Sequence, residues 1–294
     1  MSSDVLVVRE PERGTLLSTG PDAIAWLNGL LTCDVAALQP EQGVYGLLLN
    51  KQGKIQSDLT LLATQAGLLL SVAPGSAPSL LGLLDRFLVM EDATIADVSA
   101  DWEWARFFGG GALGSARAAA AALGGVAASV VWTHGEGAAL AMPSARSSAL
   151  SHWLESASGV HLADAQEWDA FRVAHGLGRF GVDFSDEDNP HEAGLDRLAI
   201  SWSKGCYLGQ EVVCMQDMRG KLKRRLVALA IDDAPAPAIG AKVTAGAGAE
   251  VGEVTSSVRA DSRAWALARL KSPYFEGHES IWVEGHAARV AAAG

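Results

Sequence analysis

The sequence predicts an α+β protein that ends in a β-barrel. Helix-period and strand-period segments interleave up to about residue 220, and beyond it only short alternating segments remain, separated by glycine-rich turns. A chain of 294 residues, 49% hydrophobic and 19% charged, has enough apolar material for two or three compact units. Evenly spaced short strands of the C-terminal kind close into a small barrel.

Val5 to Arg9 alternates weakly as a strand, and Gly14-Thr15-Leu16-Leu17-Ser18 reads as another. A helix is expected over 21–31, with Pro21 near its start and Ile24, Leu27 and Leu31 on its core face. Cys33 follows it with no base or cation beside it, which assigns it to packing. Three strands, 43–49, 55–62 and 68–72, form a meander whose turns are Asn50-Lys51-Gln52-Gly53 and Thr64-Gln65-Ala66-Gly67. Asp58 alternates with apolar neighbours on the second strand and by pattern alone faces outward.

A helix over 78–88 presents Leu80, Leu81, Leu84, Phe87 and Leu88. The strand Trp102 to Phe108, the turn Gly109-Gly110-Gly111, an alanine-rich helix over 115–123 and strands at 128–132 and 138–142 follow. These glycines make no phosphate-cradling pattern. Asp164-Ala165-Gln166-Glu167 has capping-box spacing, and the helix it opens places Trp168, Phe171 and His175 on one face before ending at Gly176. Arg172 on this helix reads as an ion-pair partner, and His175 as a helix-end residue. In the acidic loop 181–192, Asp186, Glu187 and Asp188 read as solvated. Arg219 to Arg225 is the one concentrated basic run, and it leads into the strand 226–231 and the linker Asp233-Ala234-Pro235-Ala236-Pro237. The barrel strands are then expected near 242–244, 250–256, 265–270 and 280–284.

Lys204-Gly205-Cys206-Tyr207-Leu208-Gly209-Gln210-Glu211 concentrates the chemistry of the chain. Gly205 and Gly209 permit a tight turn, and the unbroken run from Gln210 predicts a helix. Cys206 just before the positive end of that helix, with Lys204 nearby, is a candidate thiolate. The alternative is a small buried hydrophobe. A net charge of −11 and a pI near 5.1 exclude a sequence-wide basic surface, so direct nucleic-acid binding is disfavoured. No secretory leader pattern and no apolar span long enough for a bilayer are present, which points away from membranes and to the cytoplasm. Three cysteines, Cys33, Cys206 and Cys214, cannot all pair and have no metal-site spacing, so no resident metal is expected.

Lys204 to Glu211 resembles the signature octapeptide of the YgfZ family, relatives of the glycine-cleavage T-protein (aminomethyltransferase). The likeness extends through Asn189 to Asp196 and to Arg219-Gly220, Lys223 and Arg224-Arg225. It implies a T-protein-like arrangement of three domains around a folate channel: a first α+β domain of residues 1–45 plus 135–220, an inserted ferredoxin-like α+β domain of 46–134, and a barrel of 221–294. It further implies tetrahydrofolate or a derivative as ligand. Its partners would be iron–sulfur enzymes or cluster-assembly proteins, including radical enzymes that modify tRNA, with an accessory role more than turnover. Cys206 would be the working thiol, Lys204 its activator, and Tyr207 and Gln210 its positioning groups. Glu192 and Asp183 would hold the pterin, helped by Asp58 and Arg172, and Arg224 would meet the glutamate tail. T-protein has two adjacent aspartates where this chain has Ser57-Asp58, and a basic residue is usual where Met215 stands. The alternative function is aminomethyl transfer to tetrahydrofolate. The missing carboxylate counts against it, because that chemistry needs a carboxylate positioned beside the reacting nitrogen.

Overall fold

The structure, a computed structural model, describes residues 5–39, 41–133, 135–246, 248–260 and 262–291. Its contacts divide the chain into two compact units. One comprises residues 1–50, 56–163 and 198–208, and the other residues 51–55, 164–197 and 209–294.

The first unit carries β1 (Val5–Glu10), β2 (Gly14–Thr19), α1 (Ala23–Leu30), β3 (Gly43–Leu49), β4 (Ile55–Thr64), β5 (Gly67–Val72), α2 (Ala77–Asp85), β6 (Thr94–Asp97), β7 (Trp102–Phe108), α3 (Ala112–Leu123), β8 (Val126–Ser129), β9 (Gly137–Pro143), α4 (Ser147–Ser156) and β10 (Val160–Leu162). The predicted meander is present as β3-β4-β5 and is extended by β2 and β6 into a five-stranded sheet. Leu16, Leu59, Leu61, Leu70 and Val72 form one core with Trp26, Leu27 and Leu30 of α1 and Leu80 and Leu84 of α2. β4 lies inside this sheet, and its residues from Ser57 to Ala63 are buried on both faces. Asp58 is therefore only 8% exposed, which corrects the outward placement drawn from alternation. Ile24 is a second correction. It is 45% exposed, because α1 turns Ala23, Trp26, Leu27 and Leu30 to the core instead.

The second sheet has the order β10-β1-β7-β9-β8, with β1 and β10 parallel and its other strand pairs antiparallel. Ala112, Ala116, Ala119, Ala120 and Leu123 pack α3 into the core beneath it. Small side chains at helical spacing let a helix lie close on a sheet, so this alanine run is a packing device as well as a good helix former. Strand pairing joins β1 to β7 and β10, and β2 to β5 and β6. Residues 1–45 thus supply strands to both sheets.

Cys33 fills a gap left by the absent side chain of Gly46. A Cβ at Gly46 would lie 2.3 Å from Cys33 Sγ. Burial pushes the Cys33 thiol up to about 12, so it stays a neutral packing group, as its sequence context indicates. Gly46→Ala is expected to destabilise the protein by about 1–3 kcal/mol through overpacking, and a shift in the urea midpoint at unchanged slope would show it.

The second unit holds α5 (Ala165–Ala174), α6 (Gln210–Arg219), β11 (Arg224–Asp232), β12 (Lys242–Ala245), β13 (Ala249–Ala260), β14 (Arg263–Lys271), β15 (Ile281–Val283) and β16 (His286–Val290). The strands β11-β14-β13-β12-β15-β16 form the expected closed barrel, completed by antiparallel pairing of β16 with β11. Its core alternates small and large residues, with Ala264, Ala266 and Ala268 beside Leu229, Ile231, Val243 and Leu270. α5 begins with the predicted capping box: Asp164 accepts from the Glu167 amide, and Glu167 accepts from the Asp164 amide. Among the described residues no helix is long and apolar enough to cross a membrane.

Candidate functional site

The signature peptide is laid against the end of α1, and helix chemistry explains why. The last carbonyls of a helix have no partners within it. Lys204 supplies a donor to one of them and to two carbonyls just past the helix: its Nζ donates to Asn28 O at 2.6 Å, Leu31 O at 2.7 Å and Cys33 O at 2.8 Å. Burial holds the ammonium below its usual pKa, opposed by the nearby Cys33 and Asp34. The same Nζ lies 5.5 Å from the centroid of the Tyr207 ring, which is buried. Two backbone bonds flank this anchor, Leu208 N to Gly29 O at 3.1 Å and Ser201 N to Thr32 O at 2.9 Å.

Between the anchored residues, Cys206 is exposed and its thiol is free. An ammonium has three protons to donate, and all three of Lys204 point at carbonyls. Those three bonds leave Lys204 no further proton to donate to the Cys206 sulfur. Gly209, with φ +82°, is the N-cap of α6 and offers no side-chain cap, so Gln210 opens the helix with Glu211 in its first turn. Gln210 is half-buried and Glu211 exposed.

Elsewhere in the first unit, Asp58 accepts a hydrogen bond from the buried Tyr45 hydroxyl at 3.1 Å on Oδ2. Burial and the adjoining Asp58 raise the Tyr45 pKa, so the phenol remains a donor. Ser57, in place of a second carboxylate, turns its hydroxyl onto the Asp58 carbonyl.

In the second unit the acidic loop is an ordered ion network. Asn189-Pro190-His191-Glu192 forms a reciprocal cap: the Glu192 amide donates to Asn189 Oδ1 at 2.9 Å, and the Asn189 amide and Nδ2 donate to Glu192 Oε2 at 3.1 and 2.9 Å. Lys54 Nζ reaches the same oxygen at 3.4 Å, and Arg224 Nε lies 3.5 Å from Oε1. Asp188, expected to be solvated, is instead 2% exposed. It receives Arg224, Arg269 and the Ser185 amide, at 2.8, 2.8 and 2.9 Å.

Asp183 and Arg172 lie deeper. Asp183, 0% exposed, accepts from Arg172 Nη1 at 3.2 Å, the Arg179 amide at 2.9 Å and Thr255 Oγ1 at 2.6 Å. Arg172 also pairs with Asp169 and donates to Ser256 Oγ. Together they tie α5 and the loop to β13. Both are engaged with protein partners at these atoms.

A pterin presents adjacent N–H donors, which suit carboxylate oxygens with open acceptor capacity. Glu192 Oε1 has that capacity, Arg224 at 3.5 Å being its only cation among the described residues, and in the first unit Asp58 has it on Oδ1. Glu192 fits such a ligand in the second unit, and Asp58, in the first, keeps an acceptor of the same kind. Arg224, with 38% of its side chain exposed, keeps part of its guanidinium toward solvent. Sequence reasoning missed Lys54, Asn189, Asp188 and Arg269. Asn189 was within reach, since Asn-Pro-x-Glu has capping-box spacing with proline in the first position. Among the described residues no group of three His, Cys, Asp or Glu side chains is placed to hold a metal ion.

The two sheets and the closed barrel define a protein with the fold of the aminomethyltransferases. The crystal structure of the glycine cleavage system aminomethyltransferase T from Bartonella henselae superposes with a TM-score of 0.82, covering 99% of this chain and 86% of that one at 19% identity. The model of the GCVT N-terminal domain matches residues 12–120, and that of the CAF17 C-terminal β-barrel domain matches residues 223–293.

Within that class the sequence relatives are narrower. The tRNA-modifying protein YgfZ of Sodalis glossinidius is 30% identical over 240 residues, spanning 75% of this chain and 70% of its own. The mitochondrial iron–sulfur cluster assembly factor IBA57 homolog of Mycosarcoma maydis is 25% identical over 243 residues, and the match spans 78% of this chain and 58% of that protein. The chain belongs to the YgfZ family of the GcvT-like superfamily.

Proposed function

We propose that this protein supports iron–sulfur cluster assembly, and through it tRNA modification, with Cys206 as its working thiol and tetrahydrofolate or a derivative as its ligand. The carrying observation is the exposed, free thiol of Cys206 in a peptide whose neighbours are anchored. The relatives support the process: one is a tRNA-modifying protein and the other an iron–sulfur cluster assembly factor. A net charge of −11 favours contact with protein clients over contact with tRNA itself.

Cys206 in this reading lends one thiolate to a cluster in transit, with Tyr207 and Gln210 positioning the peptide that follows it. Bound tetrahydrofolate would supply a reduced pterin able to carry a one-carbon unit. Glu192 accepts ring N–H donors on Oε1, while Asn189 and Lys54 fix its other oxygen. In the first unit by itself, Asp58 keeps Oδ1 open while Oδ2 accepts from the Tyr45 hydroxyl. Arg224 offers its exposed edge to an anionic tail. Arg172 and Asp183 hold the loop that carries Glu192. Aminomethyl transfer is the weaker reading despite the shared fold, because Ser57 leaves Asp58 as the lone carboxylate on its strand.

Calorimetric titration with tetrahydrofolate tests the ligand. Wild type should bind saturably, and Glu192→Gln, which keeps an acceptor for the Asn189 cap but turns a donor toward the ligand, should weaken binding about tenfold or more. Equal affinity for both proteins, or no binding by wild type, removes Glu192 from the ligand site.

A further inference from the structure

We infer that Lys204 is a positioning residue that acts through Cys206 by anchoring the peptide on the end of α1, and that its charge serves the helix carbonyls and not the thiol. For its functional meaning the inference rests on Cys206 being the working thiol; its geometry stands on other observations.

Three facts carry it. First, Nζ converges on three carbonyl oxygens within 2.6–2.8 Å, a tripod that an ammonium satisfies with all its protons. Second, those oxygens are where a helix of eight residues ends with no basic residue in its last turn, so Lys204 supplies from a distant part of the chain the cation that α1 lacks. Third, the peptide is held on both sides of Cys206, by Lys204 before it and by the buried Tyr207 ring and the Leu208 amide after it. Cys206 is thus the exposed member of a short stretch whose neighbours are fixed. A thiol that hands over or receives a cluster gains from such fixation, since the entropy of placing it has already been lost on folding.

The ammonium is also the fitting head group for this role. A guanidinium is planar and presents its donors in a fork, whereas three carbonyls converging on one point require a compact, rotatable donor. Anchoring and activation therefore predict opposite behaviour for arginine, which preserves the charge and alters the geometry.

The test places a nitroxide on Cys206 in a Cys214→Ser background, Cys33 being buried and unreactive. With Lys204 present the spectrum should show a single slow component. Lys204→Met and Lys204→Arg should both add a fast component, and amide exchange at Leu208 should accelerate about tenfold or more in each. The pH midpoint of Cys206 alkylation should stay where it is in all three proteins. A midpoint that rises in Lys204→Met and is restored in Lys204→Arg would overturn the inference in favour of direct activation. So would spectra and exchange rates that do not change while only the melting temperature falls, since a merely stabilising lysine behaves that way. All these readouts use the purified protein without clients. If Cys206→Ser still supports cluster enzymes, the working-thiol reading fails while the anchor result stands; if the spectra do not move, the anchor fails whatever the cell assay shows.

Discussion

Asp183→Ala is expected to lower stability by about 3–5 kcal/mol, the range for removing one partner of a buried ion pair. The cost comes from what is left behind more than from the lost attraction. Arg172 is 2% exposed, and its remaining partners are Asp169, a hydroxyl of Ser256 and a carbonyl of Leu177. Without Asp183 its charge stays buried with less compensation, and the Arg179 amide and the Thr255 hydroxyl lose their acceptor as well. Asp183→Asn should cost less, because it keeps one acceptor oxygen and loses the charge. Pairing Asp183→Leu with Arg172→Met should recover much of the loss, since a buried pair replaced as a unit by apolar groups is often neutral or stabilising. Urea unfolding of Asp183→Leu, Arg172→Met and their double variant gives the cycle, with Asp183→Ala and Asp183→Asn measured beside it. If Asp183→Ala loses less than about 1 kcal/mol, the network does not tie α5 to the barrel as described. The same proteins separate stability from ligand binding. Asp183→Asn, folded at low temperature, should retain the folate affinity of wild type, whereas Glu192→Gln should not.

Periodicity, caps and turns showed much of the fold in the sequence. The meander, the capping box at Asp164, the helix after Gly209 and the closed barrel were all legible, because each rests on a local signal that packing reinforces. α4 was not, since Leu150 and Leu154 are its only buried side chains, and β6 and β10 are only 4 and 3 residues long. Burial of charge was the harder question. Asp58 and Asp188 both read as solvated, one by alternation and the other by its place in an acidic run. Their burial depends on Tyr45, Arg224 and Arg269, which come from distant parts of the chain. Lys204 shows the same limit in the opposite direction. Its nearness to Cys206 in sequence suggested activation, but its actual partners lie more than 170 residues away. A sequence motif records which groups are neighbours along the chain, while chemistry depends on which groups face each other.

Cys206→Ser is expected to abolish support of iron–sulfur enzymes in cells lacking the native protein, down to the level of an empty vector, while leaving stability within about 0.5 kcal/mol of wild type. The second half follows from exposure: the side chain is not part of any core, so exchanging sulfur for oxygen removes little buried surface. The first half follows from ligand chemistry, because a serine hydroxyl stays protonated at neutral pH and is a poor ligand for iron beside a thiolate. Cys214→Ser is the internal control. It removes the other thiol that is not fully buried, and it should leave cluster-enzyme activity unchanged. Folate titration of Cys206→Ser should match wild type, because Cys206 is not among the residues proposed to meet the ligand. The two assays together discriminate three kinds of protein. Lost cluster support with intact folate binding is what a working thiol predicts. Intact cluster support with intact binding would leave a folate-binding scaffold in which the signature cysteine has no chemistry. An aminomethyltransferase would lose transfer on Asp58→Asn and tolerate Cys206→Ser, and that pair of results would reverse the proposed function.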